Sequence, residues 1–326
     1  MNLAGLLDTI GKATGPGYAA RAIPGSLLHF VGRDAEGFPV LMLGSRDTPH
    51  GLTPAIRLQA VEVQFAVLCQ VSLPEGQRGE HRLSVVRCIS TDSELQRYFL
   101  KVVEAIVHLV GASPTFTQVT GAMRRVVELF QRLTRPPTRE VIGLYGELLL
   151  ILWSASATDS LRAWRSDSTA RFDFSSDEVR IDAKVSGRRV RTHSFSLDQC
   201  QPPPGTTGLI ASILLEPGAG ASIGDLLQKI EVRLSGGLSL VMKLHDLVAD
   251  SLGGALAEGL KTRYDDKAAR ASLRWYLSSD IPSPQGALPP AVSEVRFRSD
   301  LTAVEARVRA EILSKAPAAV QILPPD

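Results

Sequence analysis

The chain has 326 residues, 44% of them hydrophobic and 21% charged, with a net charge of +2. This composition excludes a disordered or collagen-like chain, and the length allows one large domain or two ordinary ones with a core that needs no disulfide or structural metal. The near-neutral balance excludes a basic field over the whole surface, and at 6% aromatics, base-stacking platforms are not a compositional theme.

The N-terminus lacks the basic and apolar regions of a signal peptide. Leu3, Leu6, Leu7 and Ile10 recur at helical spacing and predict a short amphipathic helix over 3–12, ended by Gly15-Pro16-Gly17. Residues 18–90 read as strands, with 26–31 and 38–43 flanking a hairpin loop at Asp34 to Gly37, and Val-rich runs at 61–71 and 83–89. From Thr91 the period changes. Asp92 or Ser93 can cap a helix that carries Leu95, Phe99, Val102, Val103, Ile106 and Val110 on one face. A second helix runs from Ser113-Pro114 to about Leu133, and a third from Thr138 to about Trp153. The stretch 143–199 then reads helix, strand, strand, strand. Beyond it, 209–215 is an inner strand by its apolar run, 222–234 and 238–252 are helices expected to cover it, and 272–277 and 292–298 are late strands. The tail after Pro317 reads as loose. These elements predict an α/β fold: a mixed sheet flanked by helices, preceded by a β-rich region with a helical joint. The expected division is 1–112 and 113–326.

Cys69, Cys88 and Cys200 match no CxxC or zinc spacing and read as small buried hydrophobes in a reducing compartment. The longest apolar run, Leu148 to Trp153, falls far short of the roughly 18 residues of a membrane span. A soluble, cytoplasmic protein with no membrane partner is expected.

The chemistry concentrates in one stretch. Glu147 is the only charge on a strongly apolar helix. Asp182 and Lys184 are two apart on a strand, so their side chains share one face. Asp173 lies on the preceding strand and can approach Asp182 across a hairpin through Ser175-Ser176-Asp177. Two carboxylates brought together need a balancing charge, and a divalent cation with oxygen ligands supplies one. Such a cation activates water and neutralises a phosphoryl oxygen, while Lys184 can hold the water or stabilise the transition state. Asp265-Asp266-Lys267 repeats the bare DxK pattern but sits in a polar helical context and reads as a solvated face.

The order Glu147, Asp173, Asp182-Ala183-Lys184 resembles the PD-(D/E)xK nuclease superfamily. The wider stretch from Gly143-Leu-Tyr-Gly-Glu147, through Trp164 and Phe172-Asp-Phe174, to Ile181-Asp-Ala-Lys-Val-Ser186 and Gln199, is similar to the PD-(D/E)xK motif protein family of bacterial phage-defence clusters. The proline that names the motif is absent, Phe172 standing in its place, and Asp182 stands where glutamate is common in relatives. The resemblance implies a restriction-endonuclease-like fold and a Mg²⁺-dependent DNA endonuclease in which Mn²⁺ can substitute. It implies catalytic roles for Asp173, Asp182, Lys184, Glu147 and Gln199, with Asp173, Asp182 and Glu147 as metal ligands. It further implies membership of a phage-defence or restriction-modification-like system, with DNA as target and a methyltransferase, a MutL-like ATPase and a Z1-domain protein as partners. The competing expectation is a non-catalytic scaffold or DNA-binding module with a vestigial site.

Seven arginines (162, 165, 171, 180, 188, 189 and 191) surround the motif in sequence. Arg188, Arg189 and Arg191 are the candidates for DNA backbone contact, since guanidinium groups bind phosphate bidentately. No P-loop, Gly-x-Ser-x-Gly elbow or HExxH spacing is present.

Overall fold

The computed structural model describes residues 2–47, 53–73, 78–165, 170–234, 237–285, 289 and 291–325. The chain divides into two compact units: the residues up to Pro136 together with Val241–Ala249, and Pro137–Leu240 together with the residues from Asp250 onward.

The first unit opens with helix α1 (Leu3–Leu7), shorter than the 3–12 expected, and a sheet follows. Its strands are β1 (Tyr18–Ala22), β2 (His29–Arg33), β3 (Pro39–Leu43), β4 (Ile56–Arg57), β5 (Val61–Ser72) and β6 (Arg78–Cys88), in the order β1-β2-β3-β6-β5-β4. β1 also pairs in parallel with β5, Tyr18 opposite Val71, so the ring β1-β2-β3-β6-β5 closes on itself. The closing contact covers the edges of β1 and β5 where they meet, and the short β4 stays at the rim. Alternate residues point inward, among them Ala20, Phe30, Val40, Met42, Val71, Leu83 and Val85, and form one apolar cluster. The expected hairpin loop holds: the Asp34 amide donates to Phe38, and Gly37 takes a φ of +92° that suits glycine. The strand expected over 26–31 begins at His29, because Gly25 (φ +85°) and Ser26 turn the chain first.

Helix α2 (Ser93–Val110) starts where the Asp92 carboxylate accepts from the Glu94 and Leu95 amides. Helix α3 (Phe116–Arg132) follows, and Phe99 and Phe130 meet edge to face at 5.9 Å. The expected boundary after residue 112 is therefore corrected. The stripe Val119, Met123, Val126 and Phe130 is buried, and α3 belongs with the first unit. The helix over 238–252 was expected to cover the second sheet. Its middle, Val241–Ala249, groups with the first unit instead, where the His245 ring lies edge-on to Tyr98 at 5.3 Å.

The second unit contains α4 (Val141–Trp153), α5 (Ala157–Ala163), β7 (Phe174–Ser175), β8 (Val179–Ser186), β9 (Thr192–Ser196), α6 (Leu197–Cys200), β10 (Thr207–Leu214), β11 (Pro217–Ser222) and α7 (Ile223–Arg233). The ends of α8 (Leu238–Leu252) follow, then α9 (Leu256–Lys261), β12 (Arg263–Tyr264), α10 (Asp266–Ser272), β13 (Arg274–Leu277), β14 (Arg296–Asp300) and α11 (Arg309–Lys315). The central sheet has the order β13-β10-β8-β7. β8 and β10 are parallel, while β7 and β13 flank them antiparallel, so the sheet is mixed. β10 is the buried inner strand that its apolar run predicts. β14 pairs with β9 in a separate ribbon, Phe297 stacked on Phe195.

Helix α4 is apolar nearly all round and buried from Leu144 to Ile151. It packs closely on β8 because Gly146 has no side chain: a Cβ there would sit 2.2 Å from Cγ2 of Val185. Asp265 of the second DxK pattern caps α10, its carboxylate accepting from the Ala268 amide. The tail is not loose. Residues Pro317–Gln321 form a 3₁₀ turn, Ile322 and Leu323 are buried, and the amides of Ala155 and Ser156 donate to Leu323 and Gln321. Among the described residues no helix is long and apolar enough to cross a membrane. All three cysteines are free and buried, and burial pushes their thiols up to about 11.

Candidate active site

Strand β8 carries Asp182 and Lys184 on one face. The Lys184 ammonium lies 2.8 Å from Oδ2 of Asp182, and both side chains are largely buried. The contact is an ion pair rather than a directed hydrogen bond, since Oδ2 receives no hydrogen-bond donor. The pairing of β7 with β8 sets Phe174 opposite Ile181 and Ser175 opposite Arg180. One further step of that register places Asp173 opposite Asp182. Asp173 Oδ2 accepts from the Ala183 amide at 2.8 Å, which fixes the carboxylate against the middle residue of the motif.

Gln199 joins the group from α6. Its Nε2 donates to Asp182 Oδ1 at 2.7 Å, and its Oε1 accepts from Lys184 Nζ at 3.0 Å and from the Ser196 amide at 3.0 Å. One amide thus orients both members of the DxK pair. Lys184 Nζ also stands 4.9 Å from the centre of the Phe195 ring, a cation–π approach that steadies it.

Glu147 is placed by α4 and is essentially inaccessible to solvent. Its Oε2 accepts from Trp164 Nε1 at 2.6 Å and Arg165 Nε at 3.2 Å, and its Oε1 from Arg139 Nη1 at 3.1 Å. The same Arg139 nitrogen lies 3.0 Å from Asp173 Oδ1. Arg139 therefore ties Glu147 to Asp173. Sequence reading missed Arg139 and did not single out Arg165. The available signal was Glu147 itself, because a carboxylate inside an apolar helix requires a compensating cation nearby.

The electrostatics follow from burial. Burial and the neighbouring Asp173 carboxylate push Glu147 up to about 7, with Arg165, Arg139 and Trp164 opposing without cancelling. Burial also pushes Asp182 up to about 6 against the pull of Lys184, with Asp173 adding to the rise. Burial works against charge on Arg139, yet Glu147, Asp173 and Asp182 together hold its pKa above the ordinary arginine value. Three carboxylates, Glu147, Asp173 and Asp182, are thus packed with three cations, Arg139, Arg165 and Lys184.

Two carboxylates set opposite each other, with Asp182 Oδ2 buried and held only by the Lys184 ion pair, fit a small hard cation. Among the described residues no group of three or more His, Cys, Asp or Glu side chains is gathered to hold one. Glu147, expected as a third ligand, is almost wholly buried and is engaged by three donors, Arg139, Arg165 and Trp164, whereas Asp173 is held by the Ala183 amide and by Arg139. The residues that fit are Asp173 and Asp182. This suits Mg²⁺, which is usually held by one or two carboxylates with water and substrate phosphate completing the shell.

The three candidate DNA-contact arginines separate. Arg188 is exposed. Arg189 makes a two-pronged pair with Glu216, at 2.7 and 3.1 Å. Arg191 turns inward to the carbonyl and hydroxyl of Ser212 and to the carbonyl of Ser272. His193 is buried against the Ser212 hydroxyl at 2.8 Å, and burial, with Lys184 and Arg191 nearby, lowers its pKa to about 4.

A mixed α/β unit with an Asp-x-Lys strand beside a second aspartate defines a protein of the PD-(D/E)XK class. The chain belongs to the family described as "Putative PD-(D/E)XK family member, (DUF4420)", whose model matches residues 8–302. No curated protein and no solved structure matches it.

Proposed function

We propose that this protein is a Mg²⁺-dependent DNA endonuclease with a restriction-endonuclease-like second unit. The carrying observation is the trio Asp173, Asp182 and Lys184: the register of β7 on β8 sets Asp173 opposite Asp182, and Gln199 bridges Asp182 and the partly buried Lys184. A bound Mg²⁺ would supply charge neutralisation at the phosphoryl group and a water of lowered pKa. Asp173 and Asp182 would hold it. Lys184 places an ammonium beside the same carboxylate, where it can donate to the attacking water or to a phosphoryl oxygen. Gln199 orients the paired Lys184 and Asp182, accepting from the one and donating to the other. Arg188 is exposed and has no side-chain partner among the described residues, which leaves its guanidinium for the backbone phosphates. In this reading the chain is a subunit of a phage-defence or restriction-modification-like system, working with a methyltransferase, a MutL-like ATPase and a Z1-domain protein.

The test is plasmid cleavage by the purified chain, alone and with those partners, in Mg²⁺ or Mn²⁺. Nicking or linearisation that Lys184→Ala and Asp182→Asn abolish supports the proposal. A wild-type chain that stays inert with all partners and both metals present rejects it.

One observation favours a second reading, a DNA-binding scaffold with a vestigial site. Arg139 already neutralises Asp173 and Glu147, and Lys184 already pairs with Asp182, so the site can be held together by internal ion pairs. Retained DNA binding without cleavage would select it.

A further inference from the structure

Ser251 lies near the C-terminal end of α8 and is 0% exposed. It has no part in the chemistry proposed above. We propose that Ser251 is a positioning residue that fixes Asp173, and with it the cation site, a role that rests on the nuclease reading.

Two routes run from Ser251 to Asp173. The first starts at its hydroxyl, which accepts from Arg165 Nη2 at 2.8 Å. Nε of the same guanidinium donates to Glu147 Oε2 at 3.2 Å, so the buried Arg165 side chain is held on two edges. The main-chain amide of Arg165 in turn donates to the Asp173 carbonyl at 2.8 Å, and beside it Trp164 bridges to Phe174. The second route starts at the Ser251 carbonyl, which accepts from the amides of Thr138 and Arg139 at 3.0 and 3.2 Å. The Thr138 hydroxyl adds a bond to the Asp250 carbonyl at 3.1 Å. The last carbonyls of a helix lack partners within it, so these bonds satisfy the end of α8 and anchor the segment before α4 together. Arg139 extends from that anchored backbone, and its Nη1 lies 3.0 Å from Asp173 Oδ1. Ser251 thus holds the backbone of Asp173 through Arg165 and its carboxylate through Arg139.

The role is one of placement and not of charge. Ser251 is neutral, and losing its hydroxyl leaves every carboxylate and guanidinium of the site in the chain. What is lost is one of the two bonds that orient Arg165. Groups that orient a metal ligand from behind are typically worth about tenfold or more in metal affinity. The sign separates the two effects. Arg139→Gln removes a cation from beside Asp173 and should strengthen cation binding, whereas Ser251→Ala keeps all the charges and should weaken it. A serine that only satisfied the Arg165 donor would lower stability when removed and leave Asp173 where it is.

The experiment measures amide hydrogen exchange by NMR on the full chain without metal, and Mn²⁺ binding by calorimetry. Two amides report on Asp173: that of Arg165, which donates to its carbonyl, and that of Ala183, which donates to its Oδ2. Ser251→Ala should speed exchange at both by about tenfold, the worth of about one hydrogen bond, with the β10 amides unchanged. Mn²⁺ should bind about tenfold more weakly. Arg165→Lys keeps the charge without the nitrogen that reaches Ser251. It should reproduce both effects, and adding Ser251→Ala to it should change nothing further, since the two act through one contact. Unchanged exchange at Arg165 and Ala183 overturns the proposal. So does faster exchange throughout the second unit, β10 included, or effects of the two substitutions that simply add. A wild-type chain that binds no Mn²⁺ counts against the nuclease reading, whereas exchange at the two amides decides the placement of Asp173 with no metal present.

Discussion

Arg139 touches two buried carboxylates with one nitrogen, so it does two tasks at different distances from the motif. Its bond to Glu147 satisfies an acceptor inside α4, and its contact with Asp173 offsets the repulsion between that carboxylate and Asp182. Arg139→Gln should destabilise the second unit by about 3 kcal/mol, the lower end of the cost of breaking a buried pair, because Arg139 keeps some solvent access. The urea midpoint measures it. The same substitution frees Asp173 Oδ1, so Mn²⁺ binding, read by calorimetry, should strengthen. Glu147 gives a pH prediction. Its folded pKa is near 7, above the ordinary 4.5, so the folded state binds the proton more tightly than the unfolded chain. The stability this contributes is complete below about pH 4.5 and is lost as pH rises through about 7. His193 has the opposite sign: its pKa falls from 6.5 to about 4, so its contribution is complete above 6.5 and is lost as pH falls. Asp182, pushed up to about 6, has the sign of Glu147, so below 6.5 His193 opposes both. Between about pH 6.5 and 7.5 the Glu147 slope dominates, with the end of the Asp182 titration in the same direction, and denaturation midpoints in EDTA should fall across that interval. Glu147→Gln should flatten this slope.

At the scale of elements, the site depends on how closely α4 approaches β8. Gly146 permits that approach, and Val185, one residue from Lys184, is what a larger side chain would strike. Gly146→Ala must push helix and strand apart or force Val185 off its rotamer, costs of about 1–3 kcal/mol. The expected outcome is a lowered melting temperature with reduced cleavage, both partly restored by adding Val185→Ala. If Gly146→Ala is silent in both measurements, close helix packing is not what positions β8. The strands around this contact were legible in the sequence for a physical reason. The period-2 spacing of Asp182 and Lys184 fixes their common face, and the short loop after Ser175 fixes the antiparallel return that sets Asp173 opposite Asp182. Glu147's partners were not legible. Trp164 and Arg165 reach it from 17 and 18 positions away, and Arg139 from outside the helix, so no periodicity connects them. Arg191 shows the converse. It alternates correctly along its strand, yet its guanidinium turns inward to the carbonyls of Ser212 and Ser272, contacts that only tertiary packing decides.

At the scale of the molecule, the division of the chain shows where composition misleads. A helical stripe such as Val119, Met123, Val126 and Phe130 announces that a face will be buried but not against which sheet, so the helical joint was divided at the wrong residue. The tail misled in the same way. Residues 316–325 contain two prolines at the end and few polar groups, a pattern that also suits a frayed terminus. Their burial is decided by tertiary contact with the segment that joins α4 and α5. Ile322 and Leu323 are buried there, and the amides of Ala155 and Ser156 donate to the Leu323 and Gln321 carbonyls. Ending the chain after Lys315 would expose the surface under those two side chains and leave two amides without their acceptors. Burial of each such side chain is worth about 1.5–3 kcal/mol, so the loss should be about 4 kcal/mol, a large part of the stability of a typical domain. Hydrogen exchange locates it: protection should fall in α4 and α5, while the closed strand ring of the first unit, which has its own core, keeps its protection. Substituting Leu323→Ala alone in the full chain should give about half the effect, since the amide contacts remain. A truncated chain as stable as the full one would mean that the tail covers the surface without supporting it.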